Sequence, residues 1–243
     1  MRKLHHCGIW RDQRSAPAIL KVICLCLGFL LALAVAPHQA SAQEMTFRLV
    51  SVGEQAKCGE SCPVVIAAEG EITNGTPGAF INFVESNVGR TNLHAIVFLD
   101  SPGGKVVASM ELGKIMRRIG AAAIVGRVDP EASNGMSEFL AARCLSACVY
   151  ALMGAKKRVI PPQSLVGIHR MFTYVDAAYP DGSAEVRFKR YDNGEMAAVL
   201  SRYTGSMGVS PALIAMAEHI SPDRIHIMTR AEIARFRLGS SKF

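Results

Sequence analysis

The period of the apolar positions changes repeatedly along the chain, and each change predicts an element. The unbroken run Val64 to Ala68 predicts a buried strand, and Leu93 to Leu99 a second. Between them Thr76-Pro77 opens a helix with Phe80, Phe83 and Val84 on one face. Thr76 suits its cap and Pro77 its first turn. Val107, Met110, Leu112, Ile115 and Ile119 keep helical spacing over Val106 to Ile119, and Gly120 stops that helix. Ala121 to Val125 is the next strand. Residues 126–142, rich in Asp, Pro, Ser, Asn and Gly, predict a loop. A small-residue helix with Ser146 at its start runs to about Met153, and Arg158 to Ile160 and Leu165 to His169 are short strands. Met171 to Ser183 reads as a second long loop, Ala184 to Tyr203 as a long helix and Pro211 to His219 as another. Ile225 to Met228 is a short strand before a closing helix, Thr229 to Phe236, whose Thr229 and Glu232 have capping-box spacing. Strands alternating with helices predict a parallel-sheet α/β domain.

Residues 1–42 have a different pattern. Arg2, Lys3, Arg11, Arg14 and Lys21 precede or flank an apolar run, Ile19 to Val35, and Ala40 and Ala42 supply small residues in an Ala-x-Ala arrangement. This is the layout of a secretory signal peptide cleaved after Ala42, and the expectation is an exported, periplasmic or secreted protein with one domain over 43–243. No later segment is long and apolar enough to span a bilayer. Of 27 Lys+Arg and 20 Asp+Glu, five and one lie in the leader, leaving 22 against 19. That near-balance, with no basic stripe interleaved with aromatics, excludes nucleic acid as the expected partner.

Three of the seven cysteines, Cys7, Cys24 and Cys26, fall in the leader. Cys58, Cys62, Cys144 and Cys148 remain, an even set that suggests disulfides in an exported chain. Four cysteines allow three pairings. Local pairing, Cys58–Cys62 and Cys144–Cys148, is the expectation: the first closes a Cys-Gly-Glu-Ser-Cys turn, and the second needs some distortion across a helix start. A zinc site would need all four sulfurs to converge and has no histidine at ligand spacing, so no metal and no cofactor is expected.

The chemistry concentrates in two segments. Asp100-Ser-Pro-Gly-Gly104 puts a glycine turn directly after a strand. Arg143-Cys-Leu-Ser-Ala-Cys148 puts Ser146 at a helix N-terminus, where free N–H groups and a positive dipole are available. His169 ends a strand, on the face opposite Val166 and Ile168. Taken singly, Ser146 reads as a helix cap or small core residue, His169 as a structural histidine and Gly103-Gly104 as an ordinary turn. Together they are a nucleophile, a general base and oxyanion donors for acyl transfer.

The combination resembles a known family. Ser-Pro-Gly-Gly after a strand, Ser-Ala at a helix start, then Gly-Ala-Lys-Lys-Arg-Val-Ile-Pro-Pro-Gln-Ser and Gly-Ile-His are similar to the Clp protease proteolytic subunit. The leader and paired cysteines resemble the secreted, Clp-protease-like periplasmic proteins. The resemblance runs from about Glu69 to Leu238 and implies the ClpP/crotonase-like fold of repeated ββα units. It implies Ser146 as nucleophile, His169 as general base, and the Gly104 and Ala147 amides as the oxyanion hole. It also implies a peptide or unfolded-protein substrate and admits a homo-oligomer. For the third triad member Asp223 is the nearest carboxylate, although an ungapped match puts Ser221 at that position; Asp176, Asp181 and Asp192 rank lower. Residues 126–142 look like an insertion, and Arg-Met-Phe-Thr after His169 departs from the Gln-Pro of the Clp subunit. Three rivals stand beside a serine peptidase: a non-catalytic module of the same fold, an acyl-CoA enzyme, and a serine–lysine enzyme drawing on Lys156 or Lys157.

Overall fold

The computed structural model of the chain describes residues 43–129, 138–178, 185–191 and 193–242. The expected signal peptide, residues 1–42, lies outside the described residues, as do Asp181 and Asp192.

The strands are β1 (Thr46–Ser51), β2 (Val64–Glu69), β3 (Leu93–Asp100), β4 (Ala122–Val125), β5 (Arg127–Asp129), β6 (Glu138–Leu140), β7 (Arg143–Leu145), β8 (Lys157–Val159), β9 (Leu165–Ile168), β10 (Phe172–Ala178), β11 (Glu185–Tyr191) and β12 (His226–Ile227). The helices are α1 (Gln55–Cys58), α2 (Thr76–Glu85), α3 (Val106–Arg118), α4 (Cys148–Gly154), α5 (Glu195–Ser206), α6 (Ala212–Glu218) and α7 (Arg230–Arg235).

The main sheet has the order β1-β2-β3-β4-β8. β1 runs antiparallel to β2, and the β2-β3, β3-β4 and β4-β8 pairs are parallel. Val64–Ala68 of β2, Ala95–Leu99 of β3 and β4 are apolar without interruption because both faces of these central strands are covered. Ile66, Ala68, Val97, Leu99, Ala123 and Val125 face the larger core with the helices. The residues between them, Val65, Ala67, Phe98 and Ile124, face a smaller cluster with Val50, Val128 and Val159.

A second, shorter line of pairing runs beside the main sheet. Ile72 bridges Gly104, Ser101 bridges Cys144, β7 lies parallel to β9, and β12 closes antiparallel on β9. A main-sheet strand therefore leads into a short second-layer segment and then a helix: β2, Ile72, α2; β3, Gly104, α3; β4, β7, α4; β8, β9, α5. This is a mixed α/β architecture of repeated ββα units, as the sequence resemblance implies. The second layer carries Gly104, Cys144 and the end of β9 into adjacent positions, and so sets the candidate site.

Several expectations are corrected. Residues 126–142 are not simply a loop: β5 and β6 pair antiparallel within them, and 130–137 lie outside the described residues. The largest correction is at Met171 to Tyr203. Phe172–Ala178 and Glu185–Tyr191 form an antiparallel hairpin, and the helix begins only at Glu195, after Gly194 with φ 105°. Val186-Arg-Phe-Lys189 alternates, and the segment carries β-branched and aromatic residues at Val186, Phe188 and Tyr191, so strand propensity overrides the helical reading. Thr76 is the first residue of α2, with Gly75 at its cap position, and its Oγ1 accepts the Thr73 N–H at 2.9 Å. The Thr229–Glu232 capping box is present.

The C-terminal segment is tied down by one side chain. The Arg158 guanidinium donates to the carbonyls of Met153 (3.4 Å), Ala155 (3.1 Å), Met207 (3.3 Å), Arg237 (3.1 Å) and Leu238 (2.7 Å). Burial, and after it the neighbouring charge of Arg117, disfavours its charged form, so its pKa lies below the ordinary arginine value.

Candidate active site

The glycine turn leaves β3 at Ser101, which is fully buried. Its Oγ accepts the Gly103 N–H at 3.1 Å, and its own backbone pairs with the β7 segment: Ser101 N–H to Arg143 O at 2.8 Å and Leu145 N–H to Ser101 O at 3.0 Å. Gly103 and Gly104 then take φ 109° and 135°, a region that L side chains rarely enter. A side chain would also have nowhere to go. A Cβ on Gly104 would lie 2.1 Å from Ile72 O, and one on Gly103 would lie 2.7 Å from Leu145 O and 3.0 Å from Ala147 N. The double glycine is thus what lets the turn press against the Ser146 segment.

Ser146 does not start the helix. It sits in the turn between β7 and α4, and Ala147 is the residue before the helix. Its φ is 53°, one of only two left-handed non-glycine residues among the described residues. Such a conformation stores strain of about 1–3 kcal/mol and persists only where its surroundings impose it. Here they do: Ser146 N–H donates to Gly167 O at 2.8 Å, Val149 N–H returns to Ser146 O at 3.1 Å, and the Cys144–Cys148 disulfide spans the turn. The second disulfide joins Cys58 to Cys62, so the structure has the local pairing expected.

The amides of Gly104 and Ala147 donate to no acceptor among the described residues. Both residues line one cavity of about 710 Å³ together with Ser146 and His169. His169 follows β9, and its Nδ1 is 2.7 Å from Arg170 O. A carbonyl only accepts, so Nδ1 carries the proton and Nε2 is left as the basic nitrogen. No hydrogen bond joins Ser146 to His169 in this structure. The cavity wall beyond them is apolar, with Tyr150, Met153, Met171, Met196, Leu213 and Ile214. Burial, then the charge of Glu218, raises the Tyr150 phenol above its ordinary value, so it stays neutral.

The structure does not bring Asp223 to His169. Asp223 is absent from the cavity lining, and its carboxylate accepts from Lys189 Nζ and, at 3.4 Å, from Ser221 Oγ. The Lys189 hydrogen bond, then its charge, holds the Asp223 carboxyl below its ordinary pKa. The physical reason is the β10-β11 hairpin: an unforeseen strand supplies the lysine that takes this carboxylate. Asp176 lies on the same hairpin, bonded to Arg187 Nε at 2.7 Å, and both line the cavity. Phe172 and Tyr174 stand beside them in the lining. Lys156 and Lys157 are exposed and do not line the cavity. Sequence reasoning missed the left-handed Ser146, the carbonyl partner of His169 and the hairpin wall. Only the hairpin had a readable signal, the β-branched and aromatic residues of its strands.

Among the described residues no group of three or more His, Cys, Asp or Glu side chains could hold a metal ion, and no helix is long and apolar enough to cross a membrane. No protein-family model matches the chain, and neither does any curated protein. Solved structures do. A membrane-bound stomatin-specific protease is similar at 17% identity over 71% of this chain and 74% of that one, with a TM-score of 0.47. A variant of that protease in complex with a substrate peptide is similar at 18% identity, covering 71% and 70%, with a TM-score of 0.47. ClpP1 from Listeria monocytogenes is similar at 16% identity, covering 70% and 84%, with a TM-score of 0.43.

Proposed function

We propose that this chain is a serine hydrolase that cleaves peptide bonds, with Ser146 as nucleophile and His169 as general base. One observation carries the reading. A strained serine and a histidine whose Nε2 has no partner among the described residues line the same cavity as two backbone amides, of Gly104 and Ala147, that have no acceptor among the described residues. Unpaired amides are uncommon in folded proteins, and a pair beside a serine suits an oxyanion.

In this mechanism His169 Nε2 takes the Ser146 Oγ proton as Oγ bonds to the carbonyl carbon of the substrate. The carbonyl π electrons move to oxygen, which the Gly104 and Ala147 amides stabilise. Collapse breaks the C–N bond, and the imidazolium returns its proton to the leaving amine. Water then repeats the sequence on the acyl-enzyme, releasing the acid and restoring Ser146. The apolar wall favours a substrate that presents an apolar side chain to the cavity. The basic–apolar–Ala-x-Ala leader supports export to the periplasm or beyond. An exported enzyme would have no cytoplasmic unfoldase, so its substrates are small, flexible or already unfolded chains.

The test is a fluorophosphonate probe, which labels only an activated serine. Protein comprising residues 43–243 should be labelled at Ser146, and Ser146→Ala should not. Folded wild-type protein that is never labelled would leave the non-catalytic binding module as the better reading.

A further inference from the structure

His169 accepts and donates no hydrogen bond to a carboxylate among the described residues; the Arg170 carbonyl is its partner, at 2.7 Å. A carbonyl can orient an imidazole only as well as its own peptide unit is held. Arg170 is held from three separate segments. Its N–H donates to Ile220 O, after α6, at 2.9 Å. Its Nε lies 3.1 Å from Glu218 Oε2, at the end of α6, a charge contact that lacks hydrogen-bond alignment. Its guanidinium carbon stands 5.0 Å from the centre of the Tyr191 ring, on β11. The Arg170 and Glu218 side chains are only 33% and 23% exposed, so this pair is less screened than a surface ion pair.

We propose that Arg170 is the positioning residue for His169, taking the place a triad acid would occupy, and that Glu218 and Tyr191 hold it there. The proposal rests on the reading of Ser146 and His169 as nucleophile and base. Its physical content has two parts. The carbonyl fixes the ring orientation and the Nδ1-protonated tautomer, which aims Nε2 at the cavity. The Glu218 carboxylate offsets the guanidinium charge, so the residue next to His169 in the chain adds no uncompensated cation when the imidazolium forms. Asp223, bonded to Lys189, instead fastens the hairpin that carries Tyr191.

Fluorophosphonate labelling of the protein, with the maximal rate separated from the apparent probe affinity, tests this. Glu218→Gln and Arg170→Met should each lower the maximal rate by about 10- to 100-fold, the usual scale for losing a group that orients a reactive one, with probe affinity unchanged. The double variant should be no slower than the slower single, because both act through one unit. Arg170→Lys keeps the ion pair and should recover most of the rate. Asp223→Asn should slow labelling less than either. Independently of labelling, the nitrogen chemical shifts of His169 should report the Nδ1-protonated tautomer in the wild type and a mixture in Arg170→Met. Wild-type labelling rates in folded Glu218→Gln and Arg170→Met, or an unchanged tautomer in the latter, would overturn the proposal. Failure of the wild type to label at all would strike the assignment of Ser146 instead, and the tautomer measurement would still decide the role of Arg170.

Discussion

Two rings of the same size differ in what they hold. Cys58–Cys62 and Cys144–Cys148 each join residues four apart, with Cα atoms 4.8 and 5.2 Å from one another. Each contains one left-handed residue, at φ 52° and 53°. In the first ring that residue is Gly59, exposed, where an added Cβ would meet nothing within 4 Å. In the second it is Ser146, between two cysteines that are fully buried. The left-handed residue follows the first cysteine directly in one ring and by two positions in the other, and glycine adopts that conformation at least cost. A serine in the same conformation costs about 1–2 kcal/mol more, since its Cβ crowds the carbonyl. Space does not explain the choice of serine in the buried ring, but a need for a hydroxyl at that point does. The same contrast separates a ring that closes a surface turn from one that aims a side chain.

The sharpest way to break this contrast is to remove the hydroxyl. Ser146→Ala should abolish fluorophosphonate labelling and peptide hydrolysis while changing stability by no more than about 1 kcal/mol. Retained labelling would mean that the buried ring, like the exposed one, is only structural.

Opening each ring comes next. By chain entropy alone a ring of this size is worth about 2 kcal/mol, the same for both. Replacing Cys144 and Cys148 by Ala should cost more than that in denaturant unfolding, because two buried side chains are also truncated, and should slow labelling at Ser146. Replacing Cys58 and Cys62 should leave labelling unchanged. Equal loss of labelling in both variants would show that the buried ring has no special hold on Ser146.

A smaller effect isolates the backbone term. Gly59→Ser should destabilise by about 1–2 kcal/mol, all of it local backbone strain, because an added side chain meets no other residue there. Ser146→Gly should be more stable than Ser146→Ala by about 1 kcal/mol, the left-handed conformation being free for glycine alone. Identical unfolding midpoints for the two Ser146 variants would remove the strain from the account.

The smallest effect lies outside both rings, on the hairpin. Arg187 and Lys189 hold the carboxyls of Asp176 and Asp223 below their ordinary range, chiefly through side-chain hydrogen bonds. A depressed folded pKa stabilises above the unfolded value, about 3.9 for Asp, and that contribution is lost as pH falls through the folded value. Amide protection of Phe172–Ala178 and Glu185–Tyr191 should therefore drop on acidification to about pH 3 more than protection of the main sheet. High salt should shrink the difference, since these pairs are exposed. Equal loss in hairpin and sheet would mean that the ion pairs do not hold the hairpin.

Much of this architecture was legible in the sequence because it depends on local pattern. The apolar runs of β2 and β3, the spacing of α3 and the Thr229–Glu232 cap are short-range signals, and the cysteine spacing favoured local bridges. Gly104, Ser146, Ala147 and His169 could be gathered only through resemblance, since the second layer of pairing that brings them together joins residues 22 to 43 positions apart. The hairpin was misread because a charged, alternating segment before a true helix was extended backwards into one. Asp223 bonds a lysine of that hairpin, and nothing local in the sequence shows that the lysine reaches it. That a carbonyl, rather than a side chain, faces His169 leaves no trace in residue identity at all.

Arg158 has a consequence for the order in which the molecule completes itself. Its acceptors come from Met153 and Ala155, then Met207, then Arg237 and Leu238. A chain gaining structure from its N-terminus onward would leave this half-buried guanidinium with its last two partners still missing, a less favourable state for a partly desolvated charge. The set of carbonyls around Arg158 is therefore complete only with the arrival of residue 238. The reverse also follows. Terminal segments ordinarily fray first, but release of Arg237 and Leu238 would strip acceptors from a half-buried cation. The amides at this end of the chain should therefore exchange more slowly than those of an untethered terminus.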